Sequence, residues 1–186
     1  MVNLTEKDKT FLVRLARSVI EAALDEGQKV ATPKDVSKEI LKKGGCFVTL
    51  HKKGALRGCI GTIEPVQSLV NGIEENALNA AFKDPRFSPL SVEELPDIDL
   101  EVSVLTVPNK LIFNDPEDLK RQLKPGVHGV ILSSGWRQST FLPQVWDQLP
   151  ETELFLSHLC QKAGLSGDCW RDSDTEIEVY EASYFS

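Results

Sequence analysis

Long apolar runs and basic runs are both missing from this sequence of 186 residues. No apolar run approaches the roughly 18 residues of a membrane-spanning helix, and the opening residues, MVNLTEKDKTF, lack the apolar stretch of a signal peptide. Basic residues run no longer than pairs such as Lys42-Lys43, and the formal net charge is -7. Because nucleic-acid binders gain affinity from a basic stripe, we expect no nucleic-acid partner, no membrane partner and a cytoplasmic location.

Motifs for nucleotides, metals and activated serines are missing as well. The sequence contains no Walker loop, G-x-G-x-x-G, H-E-x-x-H or G-x-S-x-G. Its cysteines (Cys46, Cys59, Cys160 and Cys169) have irregular spacing without C-x-x-C, and a protein without an export signal keeps its thiols reduced. His158 and Cys160 would point about 200° apart on a helix, so His158 is expected on a helix surface. We therefore predict no cofactor, no metal and no disulfide.

What is present is the composition of a globular protein, with 41% hydrophobic and 26% charged residues. The spacing of apolar residues predicts helices at residues 5–26, 32–41, 65–82, 116–123 and 151–163. Strands are predicted at residues 46–50, 56–60, 98–106, 129–132, 136–141 and 176–184. Because helices and strands do not alternate strictly and two hairpins occur, this order favours an α+β fold with a largely antiparallel sheet and flanking helices.

The segment LRGCIG, residues 56–61, is unusual because glycine is disfavoured in strands. We predict a hairpin with a three-residue loop at residues 52–54, in which Thr49 faces Arg57 and Phe47 faces Cys59. Arg57 then shares a strand face with Cys59, and a nearby guanidinium favours the reactive thiolate.

Further residues are expected to join this group. Gly58 and Gly61 would let a ligand or a peptide backbone approach closely. Glu101 and Ser103 lie on the polar face of the strand at 98–106 and would contribute a carboxylate and a hydroxyl. Arg86, in a loop rich in proline, would bind an anionic ligand.

A purely structural interpretation stays open beside this one. Free cysteine is commonly buried, and Arg57 with Glu101 would make an ordinary cross-strand ion pair. Arg86 would then be a solvated arginine. Thiol catalysis also needs a base, usually histidine, and local sequence brings none to Cys59, because His51 lies at the far end of the hairpin and His128 is distant in sequence.

Seven stretches together resemble the AMMECR-domain family, whose prokaryotic members are called AmmeMemoRadiSam system protein A. They occur in family order over about residues 10–184: CFVTL (46–50), LRGCIG (56–61), AAFKDPRFSPL (80–90), LEVSVLT (100–106), GVHGVIL (126–132), TFLPQVW (140–146) and LSHLCQKAGL (156–165). The resemblance implies one AMMECR domain over residues 1–186, with two unequal lobes and LRGCIG near a groove between them. It also implies a cytosolic setting and association with Memo-like and radical S-adenosylmethionine (SAM) proteins.

The resemblance implies no agreed reaction, so two functions remain. In the first, the protein is an enzyme or enzyme component that acts on a small molecule or peptide through Cys59, Arg57 and Glu101. The predicted ligand-binding residues are then Gly58, Gly61, Thr49 and Arg86. In the second, the protein is a non-catalytic adaptor whose groove binds a partner segment.

Overall fold

The computed structural model describes residues 4–24 and 37–186 and divides into two compact units. The first unit comprises Met1–Val107 with Ser183–Ser186, and the second comprises Pro108–Ala182. Each unit has its own hydrophobic core, and the strand pairs within each unit are antiparallel. The predicted α+β fold with an antiparallel sheet and flanking helices is therefore confirmed. No helix among the described residues has the length and apolar character needed to cross a membrane.

The helices of the first unit, α1 (Glu6–Leu24) and α2 (Leu69–Phe82), pack against each other. At the start of α1 the Thr5 N–H donates to the Asp8 carboxylate at 2.9 Å, and the Asp8 N–H donates to the Thr5 hydroxyl at 3.2 Å. The start of α2 differs from the prediction, because the Ser68 hydroxyl caps it. A serine hydroxyl satisfies a free N–H at the helix start, which the Pro65 predicted to open this helix cannot do.

Two other helix predictions concern the end of α1 and the segment at residues 32–41. The predicted end of α1 at residues 25 and 26 lies outside the described residues, as does most of the helix predicted at 32–41. The described part of that second helix, residues 38–41, forms turns, so the prediction is wrong there. The Ile40 and Lys42 carbonyls accept hydrogen bonds from the Val70 and Leu69 N–H groups at the start of α2. These carbonyl groups therefore accept hydrogen bonds from α2 and not from N–H groups within a helix of their own.

In the sheet of the first unit, β1 (Cys46–Lys52) lies between β2 (Ala55–Thr62) and β3 (Ile98–Leu105), and each of these segments was predicted as a strand. A short 3-10 helix, Val92–Asp97, leads into β3. On one face, Val48, Leu50 and Val102 are fully or almost fully buried in the core that α1 and α2 share. The opposite face carries Thr49 and the side chains considered below.

The hairpin between β1 and β2 differs from its predicted geometry. Lys52 pairs with Ala55, so the loop has two residues, Lys53 (φ 53°) and Gly54 (φ 81°). These positive φ values belong to the type I′ turn, whose twist matches that of the strands. A bulge follows: His51 faces Leu56 and Leu50 faces Gly58, which leaves Arg57 without a facing residue. The predicted pairs of Thr49 with Arg57 and of Phe47 with Cys59 are therefore wrong.

The second unit is a sheet covered by short helices. In it β5 (His128–Ser134) lies between β6 (Arg137–Phe141) and β7 (Thr175–Phe185), and β4 (Asn109–Lys110) pairs with β7. The last residues of β7 belong to the first unit. The remaining elements are α3 (Pro116–Gln122), α4 (Thr152–Lys162) and 3-10 helices at Pro143–Asp147 and Cys169–Arg171. Trp146 stacks on Phe155 in the core, with ring centroids 3.7 Å apart.

Cys160 and Cys169 form a disulfide, so the prediction of reduced cysteines is wrong for this pair. Cys160 lies near the end of α4 and Cys169 begins the 3-10 helix that follows, and their Cα atoms are 5.9 Å apart. Their spacing resembles no metal or redox motif, and the chain reversal at Gly164 brings them together. Cys46 and Cys59 are free thiols. His158 is exposed on α4, as predicted.

Candidate functional site

Three side chains form a row across the sheet of the first unit. Thr49 on β1 faces Cys59 on β2, and on its other side it faces Glu101 on β3. We call Cys59, Thr49 and Glu101 the Cys59 row. The structure thus brings together three of the predicted site residues, with Thr49 in the middle.

The Cys59 thiol is half-buried and hydrogen-bonded to its neighbour in the row. The Thr49 hydroxyl donates to Cys59 Sγ at 3.3 Å, and Thr49 itself is buried. Burial is the main influence on this thiol and raises its pKa, while the Thr49 hydrogen bond and the positive charge of Arg86 act in the opposite direction. The carboxylates of Asp84 and Glu101 raise the pKa further. The net shift of the Cys59 pKa is upward, so the surroundings of the sulfur favour the neutral thiol over the thiolate.

Asp84 and Arg86 hold the backbone of Cys59 from the outer edge of β2. The Cys59 N–H donates to Asp84 Oδ2 at 2.9 Å, and Arg86 Nη2 donates to the Cys59 carbonyl at 3.3 Å. Arg86 Nη2 and Nε also donate to the two Asp84 oxygens, at 2.7 and 2.9 Å. These bonds, those from Arg86 first, hold the pKa of the buried Asp84 carboxyl far below its usual range. The pair thus satisfies edge groups that would otherwise invite pairing with another chain.

Arg57 is bound in a different way from the one predicted. Its guanidinium makes a two-point ion pair with Glu94, at 2.8 and 3.0 Å, and donates to the Ser88 carbonyl at 2.9 Å. The Arg57 hydrogen bonds, followed by one from Lys52, lower the pKa of Glu94 to about 2. The cation whose charge acts on the Cys59 thiol is Arg86. A catalytic role for Arg57 stays a prediction.

The aromatic ring of Phe87 lies beside both arginines. The guanidinium carbon of Arg57 is 5.8 Å from the ring centroid, and that of Arg86 is 5.5 Å from it. Arg57 Nη1 is buried and has no hydrogen-bond partner among residues 4–24 and 37–186, and a ring face is a weak substitute acceptor for such a group. Arg57 and Arg86 are therefore neighbours of one ring, although each binds its own carboxylate.

The two glycines of LRGCIG make room for parts of the protein itself. A Cβ atom on Gly58 would overlap the main-chain carbonyl oxygen of Ala80 in α2, and one on Gly61 would overlap the ring of Phe47 and the main-chain carbonyl oxygen of Cys46. Close approach of a ligand or of a peptide backbone was expected at Gly58, and the backbone found there is that of α2. Roles for either glycine in ligand binding stay predictions.

His51 is a neighbour of the Cys59 row that the sequence interpretation missed. It lies two residues from Thr49 on β1 and therefore on the same face, opposite Asp99 on β3. Alternation along β1 was sufficient to find it, but the predicted three-residue loop placed it at the end of the strand. Asp84 and Glu94 were also missed, because only tertiary contacts bring them to β2.

Exposure on this face increases towards the hairpin. Ser103, which lies opposite Phe47, is almost fully buried, whereas Cys59, Glu101 and His51 are half-buried and Asp99 is exposed. The more exposed end of this face is therefore the end that carries His51. Among the described residues, no group of three or more His, Cys, Asp or Glu side chains is arranged to hold a metal ion.

The second unit has cavities of its own. One, of about 440 Å³, lies between residues 110–116 and 171–177, and another, of about 500 Å³, lies between α4 and the turn at Gly167. Neither is lined by a predicted site residue. Arg171 borders both and is 3.3 Å from the Glu153 carboxylate.

Comparison with known proteins identifies relatives over nearly the full length. The family model described as AMMECR1 matches residues 13–185. A protein of Methanothermobacter thermautotrophicus is 42% identical over 98% of this chain and 95% of its own length, and the protein MK0488 of Methanopyrus kandleri is 43% identical over 98% and 89%. The crystal structure of the uncharacterized protein PH0010 from Pyrococcus horikoshii is similar, with a TM-score of 0.89 and 40% identity over 97% of this chain and 92% of that one.

Proposed function

This chain belongs to the AMMECR1 family, and we propose that its Cys59 row forms one wall of a groove that binds a small molecule or an extended peptide. The observation that carries the proposal is a half-buried thiol whose sulfur and backbone are both held by hydrogen bonds. The Thr49 hydroxyl holds its sulfur, and Asp84 and Arg86 hold its backbone. Rigid placement of a few polar groups is what a selective binding site needs, because little entropy is then lost on binding.

The upward shift of the Cys59 pKa supports binding over catalysis in the resting protein. A thiol attacks as a thiolate, and burial together with the Asp84 and Glu101 carboxylates opposes its ionisation. The adaptor function requires no ionisation, since a neutral thiol packs as a small apolar group with weak hydrogen-bonding capacity. The enzyme function remains the second candidate and requires a base beside Cys59.

Memo-like and radical SAM proteins are the partners that we propose for this groove, with the cytoplasm as the location. The family resemblance supports these partners. The Cys160–Cys169 disulfide is compatible with this location, because intracellular proteins of hyperthermophilic archaea are an exception to the rarity of cytosolic disulfides. Relatives of this chain occur in Pyrococcus species.

Alkylation of Cys59 by iodoacetamide tests the proposal. Cys46 is buried and the other two cysteines are paired, so Cys59 is the thiol expected to react in the folded protein. The rate is measured alone, then with the purified Memo-like protein, the purified radical SAM protein, or the low-molecular-mass fraction of a cell extract from the same organism. Occupancy should slow alkylation about tenfold if the ligand is present at ten times its Kd.

Two variants serve as controls. Cys59→Ser should abolish labelling, which assigns the signal. Glu117→Cys introduces an exposed thiol in the second unit, and its alkylation should be unaffected by the additions. If none of the three additions slows the reaction of Cys59, the proposed binding role is refuted.

A further inference from the structure

The β1 strand places an imidazole beside the Cys59 row. His51 and Thr49 are two residues apart and share one face, and Thr49 faces Cys59. His51 and Cys59 are therefore diagonal neighbours, a relation that separates residues by about 7–8 Å and lies within reach of aromatic and long side chains. His51 is half-buried, at the more exposed end of this face.

The other groups that face Cys59 do not supply a base suited to neutral pH. Arg86 is a permanent cation bound to Asp84, and the Thr49 hydroxyl donates a hydrogen bond to the Cys59 sulfur. Asp84 is fully engaged by Arg86 and by the Cys59 N–H. Glu101 is a carboxylate, whose negative charge opposes formation of a thiolate. Imidazole is the side chain that normally exchanges protons between about pH 5 and 8.

We propose that His51 accepts the Cys59 proton, and that Asp99, which faces His51 across β1 and β3, positions the imidazole. The site would then act on a carbon electrophile. The proton moves from Cys59 Sγ to a ring nitrogen of His51. An electron pair of the thiolate sulfur then forms a bond to the electrophilic carbon, and the leaving group departs with the electrons of the bond that breaks. The imidazolium afterwards releases the proton to water. This inference deepens the enzyme function of the proposed site.

The pH dependence of alkylation tests it without any partner. With iodoacetamide the S–C bond forms, the C–I bond breaks and iodide leaves, so the rate follows the thiolate that His51 generates. The pH–rate profile of the wild type should show a limb that depends on His51, below the pH range in which the thiol ionises unaided. His51→Gln should remove this limb and slow alkylation about tenfold near pH 7, equivalent to one unit of thiol pKa. Reaction at high pH should persist, where the thiol ionises unaided.

Two carboxylate variants separate His51 from its alternatives. Asp99→Asn should lower the His51-dependent rate of alkylation less than His51→Gln does, because it removes only the group that positions the imidazole ring. Glu101→Gln should accelerate alkylation, because it removes a negative charge that opposes ionisation. Unchanged circular dichroism and an unreactive Cys46 would show that each variant is folded.

The proposal is overturned if His51→Gln leaves the profile of the wild type unchanged, or if Glu101→Gln slows the reaction, since Glu101 would then be the base. This result is independent of ligand binding. Protection of Cys59 by a partner with no dependence on His51 would retain the groove and refute the base. If the alkylation rate depends on His51 but no addition protects Cys59, the base is retained and the groove is refuted.

Discussion

Replacing Asp84 by asparagine should destabilise the first unit strongly, although one atom changes. The Asp84 side chain is 1% exposed and accepts four hydrogen bonds, three of them from Arg86 and one from the Cys59 N–H. Asparagine keeps one acceptor oxygen and turns an amide group towards the remaining donors. Bonds to charged groups contribute about 1.5–3 kcal/mol each. Because Arg86 is half exposed and regains water, we expect a net loss of about 2–4 kcal/mol.

Urea denaturation followed by circular dichroism measures this loss, and hydrogen exchange of the Cys59 amide localises it. Glu6→Gln is the matched control, because the Lys9–Glu6 pair has the same 2.7 Å separation as Arg86–Asp84 but Glu6 is 87% exposed. Exposed pairs contribute about 0–1 kcal/mol. A loss for Asp84→Asn no larger than that of the control, or unchanged exchange at Cys59, would refute the reasoning.

Three further predictions concern stability. The Asp84 pKa is lowered by folding, so its contribution is present above the unfolded value near about 3.9 and is lost as pH falls below it; the free-energy difference between wild type and Asp84→Asn should shrink on acidification, and a difference that grows would contradict this. Reducing the Cys160–Cys169 disulfide should cost about 2.5–3 kcal/mol for a nine-residue separation, measured as a lower urea midpoint with dithiothreitol that a Cys160→Ala/Cys169→Ala variant does not show. Gly58→Ala should cost about 1–3 kcal/mol, because its new methyl group meets the Ala80 carbonyl oxygen. Gly61→Ala should also destabilise the protein, because its methyl group meets both the Phe47 ring and the Cys46 carbonyl oxygen. Calorimetric melting of both variants tests this, and an unchanged melting temperature in either would contradict it.

Local patterns were sufficient to predict most elements of the fold. The strands around Val48 and Val102 and the helix around Phe155 follow from the periodicity of buried residues, which depends on the residues themselves. Predictions failed where contacts between residues distant in sequence determine the local structure. Residues 38–41 form turns, and the Ile40 carbonyl among them accepts a hydrogen bond from the Val70 N–H at the start of α2. Cys160 meets Cys169 through a chain reversal that no sequence motif marks.

Only part of the candidate site was predictable from the sequence, because His51, Asp84 and Glu94 were missed. Alternation along β3 correctly placed Glu101 on the face opposite the core, and the row it forms with Thr49 depends only on register. A register depends on the length of the turn, and one residue more or fewer changes every facing pair. The partner of Arg57 could not be predicted, because Glu94 is 37 residues away and reaches β2 only through the 3-10 helix before β3.

The bulge at Arg57 explains why a single functional interpretation of LRGCIG was too simple. Without it, strict alternation would place Arg57 and Cys59 on one face. The extra residue instead frees Arg57 to bind Glu94 and Ser88, while Gly58 admits α2 and Cys59 faces Thr49. The consecutive residues Arg57, Gly58 and Cys59 thus contact three different parts of the protein. The reactivity of Cys59 therefore depends on Thr49, Arg86 and the proposed base His51, and a substitution at Arg57 should change the stability of the unit more than the pH profile of the thiol.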